Sequence, residues 1–285
     1  MPSRPALTGR VSRRASLLIA LAAASPWALA QSAGKTAAAP AQSAWPTKPL
    51  KIIVGFPAGS SPDLTARTFS EPLSKALGQP VIVDNKVGAG GNIGADAVAK
   101  ARDDHTIGLM INGNMTIAKL LNPQLPYDPL QDLKPVSLIG TSPLVLVAPA
   151  HAAGATARDV LANARNAGNT WNYGTPGVGT VAHIGMELLK NKAGINPVHV
   201  PYPGNPQVIN AIIGGQIQLN FDTPVTSIPY IKSGRLRALA ITGSKRLAKT
   251  PIIDDVYVVP DNVVVPPPPL VVDEYVEVAQ ESINN

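Results

Sequence analysis

Seven short runs rich in β-branched and other apolar residues recur along the chain, each beside a segment of helical character. They are KIIVGF (51–56), VIVD (81–84), TIGLMI (106–111), PLVLVAP (143–149), VHVPY (198–202), IQLNFD (217–222) and LRALAIT (236–242). Strand and helix in repeated alternation predict an α/β fold. The helical segments carry their own start and stop signals. In SSPDLTARTFSEPLSKALG (60–78) a serine cap comes before Pro62, which suits a first helical turn, and Gly78 supplies a stop. Pro72 lies inside this segment and predicts a kink. In TVAHIGMELLKNKAG (180–194) Thr180 is the expected cap, and Val181, Ile184, Leu188 and Leu189 recur near the helical period. The Pro-rich stretch LNPQLPYDPLQDLKP (121–135) lacks periodicity and reads as a surface excursion before the chain enters a second lobe. Connection logic places lobe 1 at 50–140 and lobe 2 at 141–240, with crossing strands at both ends of the latter and a return toward lobe 1 over 241–251.

The 285 residues, 45% of them hydrophobic, suffice for a sizeable core. The N-terminus reads differently. Arg4, Arg10, Arg13 and Arg14 precede the apolar run ASLLIALAAA and the small-residue site Ala28-Leu29-Ala30. This is the pattern of an export signal over 1–30, by the general or the twin-arginine route, followed by an Ala/Pro/Ser-rich flexible leader over 31–49. No later run is long and apolar enough for a membrane span, so a periplasmic product is expected. The chain has no cysteine, which is compatible with that compartment and removes thiolate chemistry. Residues 252–285 carry seven acids and no Lys or Arg, and they include the run Pro266–Pro269. Without that tail and the signal, 20 basic residues face 11 acidic ones, a net +9 over 31–251. A basic body favours anionic partners. Nucleic acid is discounted, because the basic residues are dispersed and aromatics amount to only 4%.

Three Gly-containing stretches are candidates for anion-binding turns. In NYGTPGVGTVAH (172–183) Gly174 and Gly179 have the spacing of a P-loop, but Thr180 and Val181 follow where Lys and Ser or Thr would be needed. The loop opens a helix, and a helix start presents N–H groups and a positive dipole end to some other anion. KIIVGFPAGSSPDLTAR (51–67) repeats this arrangement in the first lobe, so the two loops suggest a clamp. VDNKVGAGGNIGADAVAKA (83–101) approaches a dinucleotide fingerprint with its last glycine displaced by one, and it reads as a structural turn. No cofactor is expected. Catalytic patterns are lacking: His105, His151, His183 and His199 are scattered, and neither HExxH nor GxSxG occurs. His183 is either a ligand donor or a local structural donor. Asp63 either meets a ligand ammonium or favours the helix start, and Asp222 either ends a strand at a pocket or caps the next helix.

FPAGSSPDLTAR, VDNKVGAGGNIGADAVAKA, LPYDPLQDLKPVSLI, NYGTPGVGTVAHIGMELLKNKAGI, HVPYPGNPQVINAIIGGQIQLNFD and GRLRALAITGSKR resemble, in this order, the Bug or TctC family of tripartite tricarboxylate transporter receptors over about residues 46–251. The resemblance implies a non-catalytic solute-binding protein of two-lobe, Venus-flytrap architecture. It implies a monomer that closes over a small carboxylate or dicarboxylate, with a membrane transporter or a sensor as partner. Carried over by position, the ligand-binding candidates are Phe56, Ala58, Gly59, Ser60 and Asp63 in one loop and Gly174, Thr175, Gly177, Gly179, Thr180 and His183 in the other. Asn112 and Asp222 are further pocket-wall positions. Two departures stand out. Asp103-Asp104-His105 replaces the family's Asp-Gly-Tyr, and after Pro251 the expected strand and C-terminal helices give way to the acidic, Pro-rich tail, so lobe 1 is expected to be incomplete. The alternatives are a periplasmic enzyme or nucleotide-binding α/β protein, and a truncated, non-binding paralogue.

Overall fold

A computed structural model describes residues 45–243 and the pair Tyr257–Val258. The chain divides into two units, Met1–Trp45 and Pro46–Asn285. Of the first only Trp45 is described, so the expected signal peptide, most of the leader, the return beyond residue 243 and most of the tail lie outside the described residues.

Within the second unit the α/β expectation is met. Strands β1 (Leu50–Val54), β2 (Val81–Asn85) and β3 (Thr106–Leu109) form a parallel sheet in the order β2-β1-β3. Helix α1 (Ser61–Leu77) follows β1, and α2 (Asn92–Ala99) follows β2. The replaced Asp103-Asp104-His105 does not disturb β3, which pairs with β1 from Thr106 onward while the Asp103 carboxylate accepts the His105 N–H at 2.9 Å. Ile52, Val54, Phe56 and Ala66 form the core between this sheet and α1. Gly78 ends α1 in the left-handed region, as a stop glycine should, and the helix runs through Pro72 without interruption.

The second sheet has the order β6-β5-β7-β4-β8-β9, comprising β4 (Val145–Pro149), β5 (Asn172–Thr175), β6 (Val198–Pro201), β7 (Leu219–Asp222), β8 (Leu236–Ile241) and β9 (Tyr257–Val258). Strand β4 alone is antiparallel to its neighbours β7 and β8. All five of its residues are buried, as an apolar run with both faces covered requires. A short helix α3 (Ala118–Leu121) precedes it, and α4 (Ala157–Ala167), α5 (Val181–Ala193), α6 (Asn205–Ile213) and α7 (Pro224–Lys232) follow. One cluster around Leu146, Tyr173, Met186 and Phe221 and another around Val147, Val208, Ile212 and Ile217 make up the core. Strand β9 belongs to the segment set apart as a tail, yet it pairs in parallel with β8 through Ala240 and Ile241.

The stretch 121–135 is more than a surface excursion. Leu125, Tyr127 and Leu133 are buried against Ala95 of α2 and Ala118 of α3. The Tyr127 hydroxyl lies 2.9 Å from both Asn92 Oδ1 and the Asn114 carbonyl oxygen and shares its one proton between them. Periodicity cannot reveal such packing, because each apolar residue is placed by a turn rather than by a helix or strand repeat.

Candidate functional site

The loops after parallel strands gather at the carboxyl ends of the strands, the usual place for ligands in α/β sheets. Here the carboxyl-end loops of the two sheets approach one another. A Cβ added at Gly90, in the turn after β2, would lie 2.6 Å from the Val178 carbonyl oxygen. One added at Gly113, after β3, would lie 2.4 Å from the Gly179 carbonyl oxygen. Beside this contact is a cleft of about 600 Å³, lined from the first sheet by residues within 87–92 and 113–122 and from the second by 177–179 and 201–203.

The second-sheet loop is held from within. Thr180 caps α5, accepting the His183 N–H at 3.4 Å, while its hydroxyl donates to the Gly177 carbonyl at 2.7 Å. The Gly177 N–H donates to Thr175 Oγ1 at 3.3 Å, and the Gly179 N–H donates to His183 Nδ1 at 3.3 Å. Behind the loop three rings stack, with centroids 4.3 Å apart for His183 and His199 and 4.8 Å apart for His199 and Tyr173. His199 Nε2 also lies 2.7 Å from Thr175 Oγ1. Burial, with the neighbouring His183 and Lys190 adding to it, pushes His199 down to about 3, and burial also lowers His183. Both imidazoles are therefore neutral at neutral pH, which His183 requires in order to accept the Gly179 N–H. The N–H groups of Val178, Val181 and Ala182 have no acceptor among the described residues.

The first-sheet loop 56–63 is braced by Asp63. Its carboxylate accepts the Gly59 N–H at 2.9 Å, Arg67 Nε at 3.0 Å and Asn85 Nδ2 at 2.9 Å. Burial opposes the charge, but these hydrogen bonds outweigh it and hold Asp63 below the ordinary carboxylate value. Ser60 occupies the cap position of α1, but its buried Oγ has no partner among the described residues. This loop meets the second sheet through α6. The Ser61 N–H points to Asn205 Oδ1 at 3.5 Å, and a Cβ at Gly204 would lie 2.5 Å from Pro57 Cγ. Asn205 Nδ2 in turn donates to Asp222 Oδ1 at 2.5 Å, and Thr226 Oγ1 donates to Asp222 Oδ2 at 2.8 Å. Burial pushes Asp222 up to about 6.

Of the residues singled out in the sequence, Gly177 and Gly179 line the cleft. Thr175, Thr180 and His183 stand behind them and shape the loop. Phe56, Ala58, Gly59, Ser60 and Asp63 form the braced loop beside the cleft and do not line it, and Gly174 and Asp222 lie in buried strands. Asn112 is exposed next to the lining residues Gly113 and Asn114. Sequence reasoning missed the first sheet's main contribution, the turn 87–92. Its glycines were read as structural, and they are: a Cβ at Gly55 would lie 2.4 Å from the Gly91 carbonyl oxygen. The same tightness presents Gly90 and Asn92 to the cleft. Tyr202 was also missed, although it follows directly on β6. Among the described residues no group of three His, Asp or Glu side chains is placed to hold a metal ion.

Comparison with known proteins accords with this geometry. The family model described as the tripartite tricarboxylate transporter family receptor, TctC, matches residues 65–269, reaching into the segment set apart as a tail. A UPF0065 protein of Bordetella bronchiseptica is 38% identical over 213 residues, covering 74% of this chain, and the chain spans only 63% of that relative's length. Among solved structures, the periplasmic binding protein BugD is 27% identical with a TM-score of 0.72, covering 85% of this chain and 84% of its own. R. palustris Rpa4515 with adipate is 29% identical with a TM-score of 0.69 and covers 75% of each chain. The α/β fold, with two sheets meeting at their carboxyl-end loops, and the matched family model lead to one conclusion: the chain belongs to the TctC family of tripartite tricarboxylate transporter receptors.

Proposed function

We propose that the protein is a periplasmic solute-binding receptor, not an enzyme, which captures a small carboxylate between two lobes at about 50–140 and 141–240. The observation that carries this reading is the cleft between carboxyl-end loops, with uncommitted N–H groups at Val178, Val181 and Ala182 where α5 begins. A carboxylate needs no lysine there. Charge-assisted hydrogen bonds contribute about 1.5–3 kcal/mol each, and a helix start adds roughly 0.3–2 kcal/mol. Micromolar affinity corresponds to about 8 kcal/mol, so one loop is insufficient and the opposing turn 87–92 becomes part of the site. Loop 56–63 supports closure from the side through Ser61 and Asn205. The adipate held by the R. palustris neighbour supports the ligand class. Delivery to a membrane transporter, and a monomeric state, complete the proposal.

Calorimetry of the purified chain against a panel of organic acids tests it. Val178→Asp adds a negative charge at an exposed cleft residue, so it should weaken carboxylate binding at least tenfold while leaving the melting temperature within about 2 °C. Carboxylate affinity unchanged by this substitution would rule out the clamp.

A further inference from the structure

Although its described body is basic, the cleft is not. None of the described residues lining it carries a charged side chain. Lys86 and Lys119 adjoin lining residues in sequence but do not line the cleft, and Lys86 lies 3.7 Å from Asp84. What the cleft offers instead is apolar surface. Val87 and Val178 are large hydrophobics left 38% and 53% exposed, and both line it. Leu121 and the sequence Pro201-Tyr202-Pro203 extend the same surface. Exposed apolar groups gathered in one concavity mark a surface that a ligand covers.

Among the polar side chains, the amides of Asn92 and Asn122 offer donors. Asn92 Oδ1 accepts both Asn114 Nδ2, at 2.8 Å, and the Tyr127 hydroxyl, at 2.9 Å. Its carbonyl is thus committed, and its Nδ2 remains without a partner among the described residues. Asn122 Oδ1 accepts the Gln124 N–H at 3.0 Å, and its Nδ2 is a further donor without a partner among the described residues. Two neutral amide donors and a helix start match one carboxylate, or two set well apart. They do not match a compact tricarboxylate, whose extra charges would be enclosed without cations. Nor does the apolar wall of Val87, Val178 and Leu121 match a body carrying several hydroxyls, each of which needs hydrogen-bond partners.

We infer that the ligand is a carboxylate with an apolar body, an aromatic acid or an aliphatic one of about six carbons or more, a size suited to a cleft within the ~300–1,000 Å³ range of small-molecule sites. This rests on the carboxylate-receptor reading and narrows it. Val87, Val178 and Tyr202 select for the body, and the Asn92 and Asn122 amides with the α5 start hold the charge.

Calorimetric titration of the full chain with benzoate, phenylacetate and adipate on one side, and malate and citrate on the other, decides the matter. The apolar-bodied acids should bind at least tenfold more tightly than malate and citrate. Tyr202→Ala should reduce that preference at least fivefold, and Asn92→Ala should weaken all the acids alike. Malate or citrate binding as tightly as the apolar-bodied acids would overturn the inference and leave the receptor reading intact. Binding of none of the five would overturn both.

Discussion

Gly113 is the position where a single methyl group should separate ligand capture from folding. Its backbone does not occupy the left-handed region, so alanine is acceptable to the backbone of the helical turn Gly113–Ile117 that it opens. The difficulty is across the cleft. An added Cβ would lie 2.4 Å from the Gly179 carbonyl oxygen and 3.2 Å from its carbonyl carbon. Ordinary contact for such a pair begins near 3.4 Å, so the lobes must part by about 1 Å or the loop 174–183 must yield. That loop is tied by the Thr180 cap, the Thr175 hydroxyl and His183 Nδ1, so parting is the easier response. In the proposed function, a clamp held open loses the contribution of one of its two loops. At about 1.5–3 kcal/mol for each charge-assisted bond, Gly113→Ala should weaken ligand binding by roughly ten- to a hundredfold. The unliganded fold should change by less than about 1 kcal/mol, because reduced unfolded-state freedom favours alanine by about 0.4–1 kcal/mol. Gly140→Ala is the control, since a Cβ there meets nothing within 4 Å. Calorimetry for affinity and urea denaturation for stability read the two effects separately. Native affinity in Gly113→Ala, or a loss of affinity matched by an equal loss of stability, would refute the closure argument.

Three further outcomes are expected. His199 is held low by burial, at about 3 against 6.5 when unfolded. The neutral stack is therefore fully stabilising above pH 6.5, and its contribution is lost progressively as pH falls toward 3, by at most about 1.4 kcal/mol per pH unit. His199→Phe keeps the ring stack but removes this titration, so its urea stability should decline less between about pH 7 and pH 5 than that of the native chain; parallel slopes would contradict the assignment. Asp222→Ala leaves Asn205 Nδ2 without its buried acceptor, while Thr226 Oγ1 keeps the Thr223 carbonyl, which should lower stability by about 1–3 kcal/mol in denaturant titration. Asp63→Ala releases the Gly59 N–H, Arg67 and Asn85 together. It should cost about 1–3 kcal/mol and quicken hydrogen exchange at Gly59, whereas unchanged exchange there would mean the loop is held by other contacts.

Much of this was legible in order and little in space. Thr180 as a helix cap and Gly78 as a helix stop follow from local chemistry, and both stand in the structure. Ser60 shows the limit of such signals: it occupies the cap position, yet the Gly59 N–H goes to the Asp63 carboxylate and the Ser60 hydroxyl is unpartnered among the described residues. Pro72 stands inside α1, which stays helical from Ser61 to Leu77. Tyr127 lay in a stretch with no readable period, and it proved to be a buried donor that orients Asn92.

The sequence by itself determined the α/β class, the order of most elements and the second-sheet loop, because these depend on residues adjacent in the chain: apolar periodicity, caps and turn glycines. Tertiary structure alone decided which loops meet. Gly90 approaches Val178, and Gly113 approaches Gly179, across separations of more than sixty residues. No local signal encodes that distance, since it follows from how two sheets set their carboxyl ends against each other. For the same reason the glycines of 87–92 read as a structural turn until the opposing loop was in place, and the cleft's apolar character emerged only when Val87, Val178 and Tyr202 came to line one concavity.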